Sequence, residues 1–249
     1  MSQRFITPAV LFPGRFRDPD SRPRWDAAVL CFRDPSGSRL LVEALGGVPW
    51  GRKVFWGIEE TPDHPRVFVA DVGGRTVGIV TQCIWGTAQA SILTEELGEL
   101  GVPFVIGYGA AGSFDPTLPQ GTQLVACSAP ATDGASKQYG RGPFAPDPGL
   151  LALARNAEPA VVATVDAVYR ETPELVAEWR AIGAQVVNME SGPFYAAARA
   201  CGIRALWLGH VSDMLLDEWH GWHVVCREEM THAAIANCRH VLENLPAPA

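Results

Sequence analysis

The chain lacks any C-x-x-C pair: its six cysteines, Cys31, Cys83, Cys127, Cys201, Cys226 and Cys238, are scattered along 249 residues. That excludes a thioredoxin-type redox motif and a zinc ribbon, and it suits reduced thiols in a cytoplasmic protein. No apolar run approaches the length needed to span a bilayer. The opening Met1-Ser2-Gln3-Arg4-Phe5 has no apolar h-region, so no signal peptide is expected. Positive charge is scarce: 20 Lys and Arg stand against 27 Asp and Glu, a net charge of −7. This argues against a nucleic-acid backbone or an anionic membrane as the main partner, though a local basic pocket remains compatible with it. There is no internal repeat and no low-complexity segment. His210, His220, His223 and His232 show weak ligand spacing and no Cys partner, so they read as surface histidines and no metal is expected.

What remains is ordinary for a soluble globular protein, with 47% hydrophobic and 19% charged residues. The length fits a single α/β domain over residues 1–249, large enough to need no disulfide or metal staple. Short apolar runs read as strands near Ile6–Phe12, Ala27–Phe32, Leu40–Ala44, Val67–Asp71, Thr76–Thr81, Phe104–Ile106, Thr122–Cys127, Ala160–Val165 and Ala205–Leu208. Pro13-Gly14 ends the first of these, and Asp34-Pro35-Ser36-Gly37 reads as a turn between the second and third. Helical spacing predicts helices over 88–100, 173–183, 192–200 and 226–245. Strands alternating with helices predict a three-layer α/β/α sandwich around a central mixed sheet.

Two carboxylates stand at strand ends. Glu190 follows Val186-Val187-Asn188-Met189, where an Ala-rich helix begins. Asp213 follows Ala205-Leu206-Trp207-Leu208 and Gly209-His210-Val211-Ser212. Strand ends of open α/β sheets are where ligands bind, so the pair suggests an enzyme. Taken alone, Glu190 reads as a helix cap and Asp213 as the centre of an Asx-turn. Gly107-Tyr108-Gly109-Ala110-Ala111-Gly112 has the spacing of a dinucleotide loop. However, Pro116 and Pro119 stop a helix from opening after it, and no Gly-Lys-Ser/Thr follows for a P-loop. Its glycines suit close backbone approach to a ligand.

The order of motifs resembles the nucleoside phosphorylase and nucleosidase superfamily: hexameric-type purine nucleoside phosphorylase, uridine phosphorylase and methylthioadenosine nucleosidase. The motifs are Val10-Leu11-Phe12-Pro13-Gly14, Ile84-Trp85-Gly86-Thr87, Ile106 to Gly112, Asp133-Gly134-Ala135-Ser136, Asp166-Ala167-Val168-Tyr169, Asn188-Met189-Glu190-Ser191 and Val211-Ser212-Asp213. The resemblance runs from about Val67 to Leu245 and is weakest over residues 15–64.

It implies cleavage of an N-glycosidic bond, with positive charge developing on ribose and negative charge on the leaving base. It casts Glu190 as acceptor for the ribose 2′- and 3′-hydroxyls and Met189 as packing beneath the sugar. Asp213 becomes the proton donor to purine N7, raised in pKa by burial, and Arg227 its assistant. Val168 and Tyr169 would line the base, with Ala111, Gly112 and Ser212 beside the substrate. Trp219 and Trp222 read either as a flap over the site or as interface residues.

The phosphate-binding Arg and hydroxyl of the phosphorylases fall at Gly107 and Ala110, which favours hydrolysis. The nucleosidases' water-activating Glu has no counterpart, and Gly14, Arg15 and Arg17 are the candidates for holding an anion. Phosphate is therefore a conceivable co-substrate, no other cofactor is implied, and phosphorolysis stays an alternative. Asp213 favours a purine, and Thr172 and Glu174 stand where uracil-reading residues would. Two rivals remain: a non-catalytic nucleoside-binding relative, and a biosynthetic enzyme reading an anionic 5′ group near Gly14. The resemblance implies a homo-oligomer, a dimer or hexamer.

Overall fold

The computed structural model describes residues 4–12, 16, 21–56, 58–83, 86–221 and 227–247, with the Arg227 side chain excepted. Its hub is β5, Phe104–Ser113, nearly all of it buried. One edge of β5 pairs in parallel with β1, Ala27–Cys31, along Val105–Tyr108, and then antiparallel with β8, Val186–Asn188, at Gly112 and Ser113. The other edge pairs in parallel with β9, Arg204–Leu215, along its whole length. Outside β1 lie β4, Arg75–Val80, β3, Val67–Val72, and β2, Val48–Pro49. Beyond β8 lie β7, Glu158–Thr164, and β6, Gln123–Ser128. Since β6 also pairs with β9, the strands β5, β8, β7, β6 and β9 close into a ring. A short β10, Trp219–His220, folds back on the end of β9.

Helices cover both faces of this mixed sheet, as the α/β/α reading expects. On one side α2, Pro35–Leu45, and α8, Arg227–Glu243, share a core with Phe104, Ile106 and Tyr108. On the other, α3, Thr87–Glu99, and α7, Ser191–Cys201, pack over Val105, Ala111 and Trp207. Gly98 lets α3 approach α7 closely: a Cβ there would lie 2.8 Å from Cys201 Cβ. The remaining helices are short: α1, Pro8–Leu11, α4, Gly134–Tyr139, α5, Pro148–Leu151, and α6, Pro173–Ala181. Among the described residues no helix is long and apolar enough to cross a membrane.

Three expectations change. The run Ile6–Phe12 is not a strand; Pro8–Leu11 is helical, with Pro8 in the first turn, where its missing N–H costs nothing. Leu40–Ala44 is not a strand either. Asp34 accepts a hydrogen bond from Gly37 N at 3.0 Å and so caps α2, Pro35 opens it, and Gly46 at φ 71° ends it. Leu41, Val42 and Leu45 then share the buried face. The Asp-Pro-Ser-Gly string was a helix start, not a hairpin turn. Finally, the Gly-rich run 107–112 is not a loop after a strand but the second half of β5 itself.

Candidate active site

Glu190 lies where two helices begin. It occupies the cap position of α7, yet its side chain makes no capping bond. Asn188 does that work, its Oδ1 accepting from Glu190 N at 3.2 Å and Ser191 N at 3.1 Å. The Glu190 carboxyl instead accepts from Met189 N, at 3.2 Å, and from Gly86 N, the residue that precedes α3. The residue at the cap position of α7 thus turns its carboxyl toward the start of α3. It is 4% exposed, and burial pushes its pKa up to about 8, against the pull of those two N–H groups. Such a group holds its proton near neutral pH with these partners alone and ionises more readily when further donors reach it.

Neighbouring motifs build this corner. Asp166 accepts from the Thr87 hydroxyl at 2.7 Å and from Gly134 N at 2.9 Å, tying the segment after β7 to the starts of α3 and α4. Asp133 caps α4 through Ser136 N at 2.7 Å. Gly192, in the first turn of α7, is needed for this packing. A Cβ there would lie 2.5 Å from Ser136 Oγ and 2.8 Å from Asp133 Oδ2. Met189 is half-buried against the cluster of Phe114, Val165 and Val187.

Asp213 stands across β5 from this corner. Gly112 pairs with Val187 of β8 on one side and with Asp213 of β9 on the other, so two strand spacings, roughly 10 Å, separate the two flanking strands. A Cβ on Gly112 would sit 3.2 Å from Asp213 Oδ2, so the carboxyl lies against bare backbone. Asp213 is half-buried, less enclosed than expected. Its oxygens are both acceptors: Oδ1 takes a hydrogen bond from Ser212 Oγ at 2.6 Å, and Oδ2 takes one from the Trp219 indole at 3.0 Å. It is not the centre of an Asx-turn; it lies inside β9.

Two residues near Asp213 were not singled out by sequence for this role. Glu171 ends the 3-10 turn Val168–Arg170, and its carboxyl is pushed up to about 7, first by burial and then by the Asp213 charge. Trp219 is the other; its aromatic character suggested a flap, but nothing in the string showed that its N–H would reach Asp213. Val168 and Tyr169 lie on the same turn as Glu171, and Tyr169 is 98% exposed, so it projects from the surface rather than lining an enclosed cavity. Ser212 Oγ also lies 3.3 Å from the carbonyl of Ala111, which is buried.

The space above Gly107 and Gly109 is occupied by Trp207. A Cβ on either would lie 2.8 or 2.9 Å from its indole, and one on Gly209 would lie 2.6 Å from it. Three glycines thus make room for one buried indole, a packing role in place of the ligand contact expected for Gly107. Ala110 is half-buried.

The anion-binding candidates Gly14, Arg15 and Arg17 lie outside the described residues, as does the Arg227 side chain. Of the motif Val10–Gly14, Val10 and Leu11 are helical rather than a strand, and Pro13 and Gly14 lie outside the described residues. The first strand of the sheet is β1, and the turn after it is Phe32-Arg33-Asp34-Pro35, which delivers Arg33. Arg33 Nη1 lies 3.2 Å from Nε2 of His210 on β9. His210 is not a surface residue: it is buried, and burial followed by the Arg33 charge lowers its pKa to about 3. His220 and His232 are exposed, and His223 lies outside the described residues. Among the described residues no His, Cys, Asp or Glu cluster could hold a metal ion.

These features match known proteins. An uncharacterized protein of Acanthamoeba polyphaga mimivirus is 28% identical over 163 residues, 64% of this chain and 66% of that one. A guanosine phosphorylase of Halorubrum lacusprofundi is 32% identical over 130 residues, 48% and 54% of the two chains. A uridine phosphorylase of Haemophilus influenzae is 27% identical over 158 residues, 54% and 62% of the two chains. In each case the match spans less than two thirds of the relative's own length. Among solved structures, an AMP nucleosidase from Bacteroides thetaiotaomicron superposes with a TM-score of 0.67 over 88% of this chain and 87% of that one, at 17% identity, a likeness of fold alone. The model of the Phosphorylase superfamily matches residues 34–245, so the chain belongs to that superfamily.

Proposed function

We propose that this chain cleaves the N-glycosidic bond of a purine nucleoside or a 5′-modified relative, with water as acceptor. The observation that carries the reading is the seating of Glu190: a buried carboxyl at the meeting point of two helix starts, two strands away from Asp213. Ribose hydroxyls brought to Glu190 supply donors that stabilise its ionised form, and that negative charge then faces the cationic sugar of the transition state. As the C–N bond breaks, its electron pair passes to the base. Asp213, protonated beforehand, delivers its proton to a ring nitrogen, and water adds to the sugar carbon with loss of a proton.

Water is favoured as acceptor because Gly107 and Gly109 bring no cation or hydroxyl of their own and the space above them is filled by Trp207, an uncharged indole. Phosphorolysis is the second reading. It is supported by Arg33 in the turn after β1 and by the guanosine phosphorylase among the relatives. Chromatographic measurement of free base from adenosine, inosine, guanosine and their 5′-substituted forms, with and without phosphate, separates the two. Release in phosphate-free buffer supports hydrolysis; strict phosphate dependence replaces it with phosphorolysis. No release from any nucleoside under either condition removes the enzymatic reading and leaves a nucleoside-binding protein.

A further inference from the structure

We propose that the chain carries a second ligand site, a cleft on the outer face of α8 that takes a small organic anion: a carboxylate or phosphate monoester on a compact apolar body. The cleft has a volume of about 270 Å³. Its walls and floor are Gln123 from the start of β6, Arg155 from the loop before β7, and Ala233, Ala236, Asn237 and His240 from α8. It lies apart from the cleavage site. The helix α8 packs on one side of the sheet, whereas α3 and α7, whose starts hold Glu190, pack on the other.

Helical spacing builds the floor. Ala233, Ala236, Asn237 and His240 stand at i, i+3, i+4 and i+7, so they share one stripe of α8. Their neighbours Ala234, Ile235 and Cys238 belong to the core instead. The two alanines leave a shallow apolar bed between longer polar side chains.

The polar groups around that bed are fixed by the protein yet not used up by it. Asn237 is 8% exposed; its Oδ1 accepts from Arg155 N at 3.0 Å, which orients the amide and leaves Nδ2 without a partner among the described residues. Asn244 Nδ2 donates to His240 O at 2.8 Å and lies 3.2 Å from His240 Nδ1. An amide nitrogen only donates, so the ring proton of His240 sits on Nε2. Gln123 Nε2 donates to Met230 O at 3.2 Å, and its Oε1 is buried with no partner. The Arg155 guanidinium has neither an ion pair nor a hydrogen bond among the described residues.

This inventory sets the sign of the ligand. Acids outnumber bases along the chain, 27 to 20, yet none of the described residues lining the cleft is acidic. The cleft offers three donors, one of them a permanent cation, against a single acceptor. An oxyanion satisfies Arg155, Asn237 and His240 at one end, through charge-assisted hydrogen bonds. An apolar body then covers Ala233 and Ala236. The volume falls just short of the roughly 300–1,000 Å³ of drug-sized sites, which suits a fragment-sized occupant.

NMR of the full-length chain with labelled alanine methyls tests the site, and nothing in the test depends on nucleoside cleavage. Benzoate and phenyl phosphate are the probes, benzamide is the neutral match, and inorganic phosphate is the head group alone. Both organic anions are expected to shift the Ala233 and Ala236 methyl signals with Kd on the order of 1 mM, in keeping with roughly ten non-hydrogen atoms. Benzamide, which lacks the charge, and inorganic phosphate, which lacks the apolar body, should each bind about 10-fold more weakly. Arg155→Gln should weaken both anions about 10-fold. Ala236→Trp, which fills the bed, should abolish binding. Both positions are exposed, so neither variant should move the thermal midpoint. No shift with either anion overturns the site, as does a shift that survives Ala236→Trp. Benzamide binding as tightly as benzoate, or an unchanged affinity in Arg155→Gln, overturns the anion assignment. Inorganic phosphate binding as tightly as phenyl phosphate overturns the role of the alanine bed.

Discussion

At the residue scale, Glu190 and Asp213 differ in how they are held, and the difference sorts their expected roles. Glu190 is 4% exposed and, among the described residues, accepts from backbone N–H groups. Asp213 is half-buried and, among the described residues, accepts from two side chains, Ser212 and Trp219. A contact that strengthens as charge develops is lost in Glu190→Gln, which is expected to lower kcat/KM by at least about 100-fold while leaving nucleoside affinity within a factor of a few. Asp213→Asn should be selective instead: a large loss on adenosine or inosine, and little on nitrophenyl ribosides, whose leaving group needs no proton. Steady-state kinetics on both substrate types check the two variants, and a uniform loss in Asp213→Asn would count against proton donation. Both acids were legible in the string because each ends an apolar run. What surrounds them was not. The Trp219 contact depends on a hairpin register, and the Glu171 contact on where a 3-10 turn ends; neither has a period that one-dimensional reading detects.

At the element scale, long periodic segments were read correctly and short apolar runs were not. The helices α3, α7 and α8 carry enough turns for their spacing to be unambiguous, and the hairpin β3–β4 is marked by Gly73 and Gly74, both at positive φ. In contrast, Leu40–Ala44 is five apolar and acidic residues that fit either period, and the deciding signal lay upstream in the Asp34 cap. Glycines misled for a related reason. In β5 they were read as a ligand loop because glycine often marks one, but here they accommodate Trp207 arriving from β9. That assignment has a direct test. Gly107→Ala puts a methyl 2.8 Å from Trp207 Cδ1, inside a sheet flanked on both edges. Overpacking of this kind is expected to cost about 1–3 kcal/mol, seen as a lowered midpoint in urea unfolding. Gly107→Ala combined with Trp207→Phe should recover part of that loss, because the smaller ring leaves the volume the methyl needs. If the single variant is as stable as wild type, the indole does not require glycine at 107.

At the scale of the whole molecule, the buried titratable groups set how stability varies with pH. Glu190 and Glu171 have folded pKa values raised to about 8 and about 7, so the unfolded chain releases those protons first as pH rises. Each contributes stability that is complete below the ordinary carboxyl range, near pH 4.5, and is lost as pH climbs through its folded value. His210 acts in the opposite sense. Its folded value of about 3 lies below the ordinary 6.5, so its contribution is complete above 6.5 and is lost as pH falls toward 3. Between pH 4.5 and 6.5 the two acids outweigh the one base, and above 6.5 only the acids act. The sum places the stability maximum near pH 5, well below neutrality, with a decline on the alkaline side through pH 8. Thermal melts from pH 4 to 9 should trace that profile. Glu190→Gln should flatten the alkaline decline, standing close to wild type at pH 4.5 and several degrees above it at pH 8, even though it is expected to be nearly inactive. His210→Phe should flatten the acid side instead. A bound nucleoside should also reduce the alkaline loss in the wild type, because ribose hydroxyls solvate the ionised Glu190 that the empty protein leaves short of donors. In Glu190→Gln the nucleoside should stabilise the fold by much the same amount at every pH, because no such charge is present. Destabilisation of the ligand-free fold at neutral pH and recognition of the sugar then trace to the same carboxyl, and a variant stabilised at pH 8 without loss of activity would separate them.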